Sequence, residues 1–386
     1  MEMAQVISEF KPVAGISMRA QIEKYLRELI ADGRLPAGTK LPPTLGLANA
    51  WGTHAPTIHS AMVALVKDGL VERRKQRGTF VRAGTGELRN VALYVPGDRC
   101  RHNNFIEGLM HALEAEFALH GVRTGRWINR QTDQSPDQEW QPFIQAARRR
   151  EFQGGVLLAV DPREVAWLAK MPVPLAALCL EPVPNRAWPR IDAALGQAMQ
   201  HLAAQGCRHV GLISANSAPT PVKKGEKSPS VEFHETFRRL AGEHGLQLQE
   251  RWILSPPEEV PEKAAAQFGF ESFHRLWDQR ERPDALVVFT DVVAQGVLMA
   301  LAQRQVRVPE DLRLVLHRNK ELGLFCLVPA SFMDVSVHQM AAVLVDLLQR
   351  ASRGQGVPHP VDVSAAFVPE QPVVRRAAAA TTALIA

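Results

Sequence analysis

Apolar side chains recur at helical spacing over Ile22, Tyr25, Leu26, Leu29 and Ile30, which predicts an amphipathic helix near the start of the chain. Gly33 and the run Pro36-Ala37-Gly38 end it. A short helix is predicted over 44–50, a tight turn at Gly52, and a second helix over 56–67 that Gly69 stops. Leu70-Val71 and Thr79-Phe80-Val81 then read as two short strands, and they flank the basic tip Arg73-Arg74-Lys75-Gln76-Arg77-Gly78.

Beyond the glycine-containing stretch 82–87 the pattern changes. Continuous apolar runs at 91–95, 155–160, 175–178, 209–213, 285–289 and 312–316 predict buried strands. Helical patterns at 105–120, 194–204, 233–244, 264–279, 291–304 and 338–352 alternate with them. Such alternation predicts parallel sheets covered on both faces, with ligands bound beyond the carboxyl ends of the strands. The expected class is therefore α/β: a winged helix-turn-helix followed by a larger α/β domain.

Charge sharpens this division. Residues 1–90 hold 13 of the 45 Lys and Arg residues and 8 of the 40 Asp and Glu, so the whole net charge of +5 falls in the first segment. A helix fits the major groove, and a basic hairpin beside it can grip the backbone. With 386 residues, 46% hydrophobic and 22% charged, the chain suits a small domain plus a large one. No apolar run reaches the ~18 residues of a membrane span. The opening MEMAQVISEFKPVAG lacks the basic start and apolar stretch of a signal peptide. Cys100, Cys179, Cys207 and Cys326 show no paired spacing, which suits reduced thiols in the cytoplasm and no metal.

From Gly33 to Val81 the chain closely resembles the GntR family of bacterial transcription regulators. The resemblance rests on Gly33-Arg34-Leu35-Pro36-Ala37-Gly38-Thr39-Lys40-Leu41-Pro42, Leu47-Ala48, Thr57-Ile58, Gly69-Leu70-Val71-Glu72-Arg73 and Arg77-Gly78-Thr79-Phe80-Val81. Two departures stand out. Leu45 occupies the place of an arginine usual in that family, and His54-Ala55-Pro56 replaces Ser-Arg-Thr at the start of the recognition helix. From Leu41 to Val66 there is no Asp, Glu, Lys or Arg, so the commonest specific contact, arginine to guanine, is not available from this helix.

Residues 90–369 are similar to the effector domain of LacI/GalR repressors, which is built like a periplasmic sugar-binding protein. Arg208-His209-Val210-Gly211-Leu212-Ile213, Asp291 with Ala294 and Gly296, and Val308-Pro309-Glu310-Asp311-Leu312 carry that resemblance. It implies two lobes, about 90–190 and 191–313, with a further crossing near 317–337. The expected domains are a DNA-binding unit over 1–83, a linker over 84–90, an effector-binding and dimerisation domain over 91–370, and a flexible tail over 371–386.

Expected DNA contacts are His54, Thr57, His59 and Ser60 for bases, and Lys40, Arg73, Arg74, Lys75, Arg77, Gly78 and Thr79 for the backbone. In the body, the resemblance assigns Asp291 and Asp192 to ligand hydroxyls, although each suits a helix start equally well. Asn103, Asn104 and Phe105 could line the site or cap a helix. Phe233 stands where the family has an arginine, and His317-Arg318-Asn319-Lys320 replaces a Gly-Phe followed by an acid pair, so that Asn319 and Lys320 take the acid positions. Arg318 and Lys320 would then favour an acidic ligand over a neutral sugar.

Lys223-Lys224-Gly225-Glu226-Lys227-Ser228 lacks the Walker order and reads as a solvated loop. No Ser/His/Asp set, GxSxG or paired-carboxylate motif stands out, so no catalytic residue and no cofactor is expected. The expected function is a cytoplasmic, homodimeric transcription regulator and repressor. It would bind a double-stranded DNA operator under the control of a small molecule held between two lobes. The competing readings are a solute-binding protein of transport and a regulator without an effector.

Overall fold

The computed structural model describes residues 9–13, 15–31, 34–35, 38–67, 70–74, 77–81, 88–97, 104–130, 138–160, 163–179, 183–215, 229–257, 260–353, 355–357 and 359–370. Most of the 84–90 linker, the loop 223–228 and the tail 371–386 lie outside them. The chain divides into two compact units, one of Met1–Trp188 with His338–Val363, the other of Pro189–Val337 with Ser364–Ala386.

The first unit begins with α1 (Met18–Ala31), β1 (Lys40–Leu41), α2 (Thr44–Ala50), α3 (Ala55–Lys67), β2 (Val71–Arg74) and β3 (Gly78–Val81). Ile22, Leu26 and Leu29 of α1 pack with Leu47, Ile58, Met62, Leu65 and Val71 in one buried cluster. Phe10, Tyr25 and Trp51 close it with rings 4.8–6.2 Å apart. The strands form a sheet in the order β1-β3-β2. β1 is absent from the sequence reading, because two residues carry no periodicity; pairing with β3 creates it.

The same unit continues with a six-stranded sheet. β4 (Asn90–Pro96), β5 (Arg123–Asn129), β6 (Gly154–Leu158), β7 (Leu175–Leu178), β8 (Arg186–Arg190) and β14 (Val361–Ser364) stand in the order β14-β8-β7-β6-β4-β5. The pairs β4/β5, β4/β6, β6/β7 and β7/β8 are parallel. Helices α4 (Asn104–Leu119), α5 (Gln141–Arg148) and α6 (Val165–Leu168) belong to this part. Tyr94, Asn129 and Glu164 are buried together, with Asn129 Nδ2 donating to Tyr94 Oη at 2.8 Å and the tyrosine hydroxyl donating to Glu164.

The second unit holds β9 (Val210–Ser214), β10 (Ile253–Leu254), β11 (Ala285–Phe289), β12 (Arg313–Asn319), β13 (Ser331–Val335) and β15 (Ala366–Val368) in the order β10-β9-β11-β12-β13-β15. All pairs are parallel except β13/β15. Its helices are α7 (Asp192–Ala204), α8 (Pro229–Glu243), α9 (Glu262–Trp277) and α10 (Asp291–Arg304). The long α11 (Val337–Ser352) follows β13 and belongs almost wholly to the first unit.

The helices α9 and α10 touch backbone to backbone. A Cβ at Gly269 would stand 2.2 Å from the Val293 carbonyl oxygen, and one at Gly296 would stand 1.8 Å from that of Ala266. β12 runs to Asn319, beyond the apolar stretch that predicts it, and the chain leaves the second unit at 337/338, at the end of the expected stretch. The reason is β13: its parallel pairing with β12 from Ser331 to Val335 keeps that segment in the sheet.

Candidate nucleic-acid interface and ligand site

Helix α3 buries Ile58, Ala61, Met62 and Leu65. Its outward stripe therefore runs through Pro56, His59, Val63 and Val66, at spacings of three and four, with Thr57 and Ser60 half-buried beside it. His54 precedes the helix and is exposed; its carbonyl accepts from the Thr57 amide at 2.9 Å and closes the first turn. Leu45, the second residue of α2, is 65% exposed.

The hairpin β2/β3 sets Arg73 opposite Thr79 and Arg74 opposite Gly78. Gly78 has φ +113°, and a Cβ there would lie 3.1 Å from Lys40 Cε. The position thus needs glycine for its backbone. β1 pairs Lys40 with Phe80, which places this cation on the hairpin as well.

The basic residues are not equivalent. Arg74 donates to Glu72 Oε1 at 2.6 Å, and its guanidinium lies 4.7 Å over the Phe80 ring. Arg73 donates through Nη2 to His59 Nδ1 at 3.3 Å, which ties the hairpin to the outward face of α3. Arg77 is exposed, and its amide closes the turn onto the Arg74 carbonyl at 3.0 Å. Lys75 lies outside the described residues. Sequence reasoning misses the His59–Arg73 link, since a contact across fourteen residues leaves no local periodicity.

In the second unit a cluster forms at the carboxyl ends of β11 and β12, where the sheet order lets a ligand approach. Asp291 is the first residue of α10, and Thr290 is its N-cap. The Asp291 carboxylate accepts from the Val292 amide at 3.0 Å and from Asn319 Nδ2 at 2.8 Å. Phe233 on α8 is buried, its ring 4.9 Å from that of Phe289, which in turn stands 4.5 Å from the His317 imidazole. Next to Phe233, His234 Nε2 is hydrogen-bonded to Ser255 Oγ at 2.8 Å.

His317 is 6% exposed, and its Nδ1 meets no hydrogen-bond partner among the described residues. Burial pushes its pKa down to about 4, against the opposing pull of the Asp291 and Asp334 carboxylates. It is therefore a neutral imidazole near pH 7. In the unfolded chain it titrates at about 6.5. The unfolded state thus binds more protons between these values, and stability should rise with pH from about 4 to 6.5. Urea unfolding of His317→Leu across this window should show that part of the rise removed; an unchanged profile would count against a buried neutral imidazole.

One sequence expectation changes here. Arg318 does not offer a free cation. Its Nε and Nη2 each donate to a different oxygen of Asp334, both at 2.8 Å, and its guanidinium lies 3.9 Å over the Phe332 ring. Asp334 is the register partner of Arg318 across the parallel β12/β13 pair, so the two side chains emerge on the same face of the sheet. Lys320 is exposed, its amide donating to the Val335 carbonyl at 2.9 Å. Phe289 and Asp334 escape the sequence reading, and His317 enters it only as part of the replaced motif; the polar run His317-Arg318-Asn319 at the end of a buried strand marks the place.

The remaining candidates stand on other elements. Asp192 opens α7 and accepts from Arg190 Nη2 at 2.5 Å. Asn104 and Phe105 begin α4 in the first unit, the former exposed and the latter half-buried, and Asn103 lies outside the described residues. Among the described residues, no group of three or more His, Cys, Asp or Glu is arranged to hold a metal ion. No described helix is long and apolar enough to cross a membrane.

Comparison with known proteins matches residues 18–81 to the bacterial regulatory proteins of the gntR family and residues 199–376 to the periplasmic binding protein-like domain. The HTH-type transcriptional repressor PurR of Actinobacillus pleuropneumoniae serotype 3 is 26% identical over 151 residues, 39% of this chain and 41% of that protein. PurR of Haemophilus influenzae strain PittEE is 27% identical over 151 residues, with the same shares. The chain thus spans about two-fifths of the length of these relatives. A LacI family transcription regulator from Clostridium acetobutylicum shares the fold, with a TM-score of 0.57 at 15% identity over 73% of this chain and 100% of that one. The chain therefore joins a gntR-family helix-turn-helix domain to a periplasmic-binding-protein-like domain with the fold of LacI-family regulators.

Proposed function

We propose that this protein is a DNA-binding transcription regulator, acting as a repressor, whose operator affinity responds to a small molecule held by the periplasmic-binding-protein-like domain. The observation that carries the reading is the union, in one chain, of a winged helix-turn-helix bearing the whole net charge with a body of ligand-binding fold. The curated relatives are named as repressors, which favours the negative sign of control. A two-fold-related operator needs two heads, so the acting species is a homodimer. Its place of action is the cytoplasm, and it catalyses no reaction.

The effector site in this proposal centres on Phe233, Phe289, Asp291, His317 and Asn319. Arg318 drops out of it because Asp334 neutralises it, so an acidic ligand loses its main attraction. Coupling is reciprocal: an effector that weakens DNA binding must itself be bound more weakly by the DNA complex, by the same factor.

Selection of bound fragments from random duplex DNA tests the reading. The full chain should enrich a motif with two-fold symmetry, and no enrichment would overturn the proposal. Single alanine substitutions at His54, Thr57 and His59 should then relax preference at individual positions, each by ~1–3 kcal/mol. An unaltered motif in all three variants would mean that other residues read the bases.

A further inference from the structure

The reading face of this protein exposes aliphatic side chains, beside a few neutral polar ones, where charged ones would be expected. Among residues 41–66 there is no Asp, Glu, Lys or Arg. Leu45 is 65% exposed, Val63 48% and Val66 37%. Val63 and Val66 continue the outward stripe of α3 that begins at Pro56 and His59, and Thr57 lies beside its start. Exposed Val and Leu side chains on a small domain are ordinary when scattered. Here they share the elements of the helix-turn-helix, and Arg73 is tied to the same stripe through His59.

The major groove restricts what such a face can meet. Guanine offers N7 and O6, cytosine an amino group, and adenine N7 and an amino group. The thymine methyl is the one apolar group on these edges. An aliphatic side chain set against any of the polar atoms would take them from water without a partner, which is costly. Against a thymine methyl, both partners leave water together.

We infer that the recognition surface reads thymine methyl groups, through Val63 and the Thr57 methyl on α3 and Leu45 on α2, while Arg73, Arg77 and Lys40 hold the phosphates. The inference rests on the proposed DNA-binding function and specifies the kind of operator: half-sites whose contacted positions are thymines. The occupant of the apolar face is duplex DNA because Arg73 is tied to its stripe through His59, on a hairpin that also exposes Arg77 and pairs with the strand of the exposed Lys40, as a polyanion requires.

The test uses the full chain and the duplex enriched by selection, made once with thymine and once with deoxyuridine, which keeps base pairing and removes only the methyl. Deoxyuridine should weaken binding about fourfold for each methyl contacted, the equivalent of about 0.8 kcal/mol for one buried carbon. In Val63→Ala and Leu45→Ala the gap between the two duplexes should shrink. Both side chains are exposed, so the variants should keep the wild-type circular dichroism and melting temperature. Equal affinity for the two duplexes overturns the inference and leaves the DNA-binding reading standing. So does a gap that neither substitution alters. Failure of the folded protein to retain any duplex overturns both.

Discussion

Replacing Arg73 and Arg77 together with alanine is expected to weaken binding to every duplex, by on the order of tenfold or more near physiological salt, and to flatten the salt dependence by up to about 2 units of slope. The recognition helix carries no charge before Lys67, which leaves most of the electrostatic share of affinity to the hairpin, where both arginines are exposed. Each neutralised phosphate releases about 0.9 counterion, so the change in slope reports how many phosphates the two arginines neutralise. Arg74 should matter less. Its guanidinium is already held by Glu72 and Phe80, and a triple variant that includes Arg74→Ala should flatten the slope by less than about one further unit. Affinity measured at several salt concentrations decides the matter. A double variant with the parental slope would move the phosphate grip elsewhere.

Gly296→Ala should be the most damaging single methyl that can be added to the second unit. The new Cβ would fall 1.8 Å from the Ala266 carbonyl oxygen and 2.8 Å from the Phe270 amide nitrogen. Both obstacles are backbone of α9, so no rotamer change relieves them, and the two helices must separate. Overpacking costs typically ~1–3 kcal/mol and occasionally more; a backbone clash this close belongs at or above the top of that range. Function should fail with stability, because α10 begins at Asp291, and its displacement breaks the bond from Asn319. Gly242→Ala is the control. No atom lies within 4 Å of its Cβ, and in a helix alanine is favoured over glycine by roughly 0.5–1 kcal/mol. Urea unfolding of the two variants should move in opposite directions. An unchanged midpoint for Gly296→Ala would show that α9 and α10 pack differently.

The head domain was legible because its signals are local. Helical spacing, the turn at Gly52 and the basic hairpin tip each lie within a few residues, and α2, α3, β2 and β3 form where those signals stand. The buried strands β4, β6, β7, β9 and β11 were legible for a related reason: strands covered on both faces are continuous apolar runs. β5, β8 and β13 were not. Their sequences RTGRWIN, RAWPR and SFMDV mix charged and polar residues with apolar ones, and only their neighbours in the sheet make them strands.

For the proposed ligand site, the sequence by itself determined that a carboxylate, Asp291, stands at a junction of strand and helix, and that polar residues end β12. It also determined that the recognition helix carries no charge before Lys67. Tertiary structure alone decided what those residues do. Strand register set Arg318 against Asp334 and removed its charge from use, while burial among aromatic rings kept His317 neutral. Folding of the hairpin onto α3 brought Arg73 to His59. The physical reason is one of range: turn chemistry and periodicity act between near neighbours, whereas charge pairing and desolvation depend on whatever the sheet and the helices bring alongside.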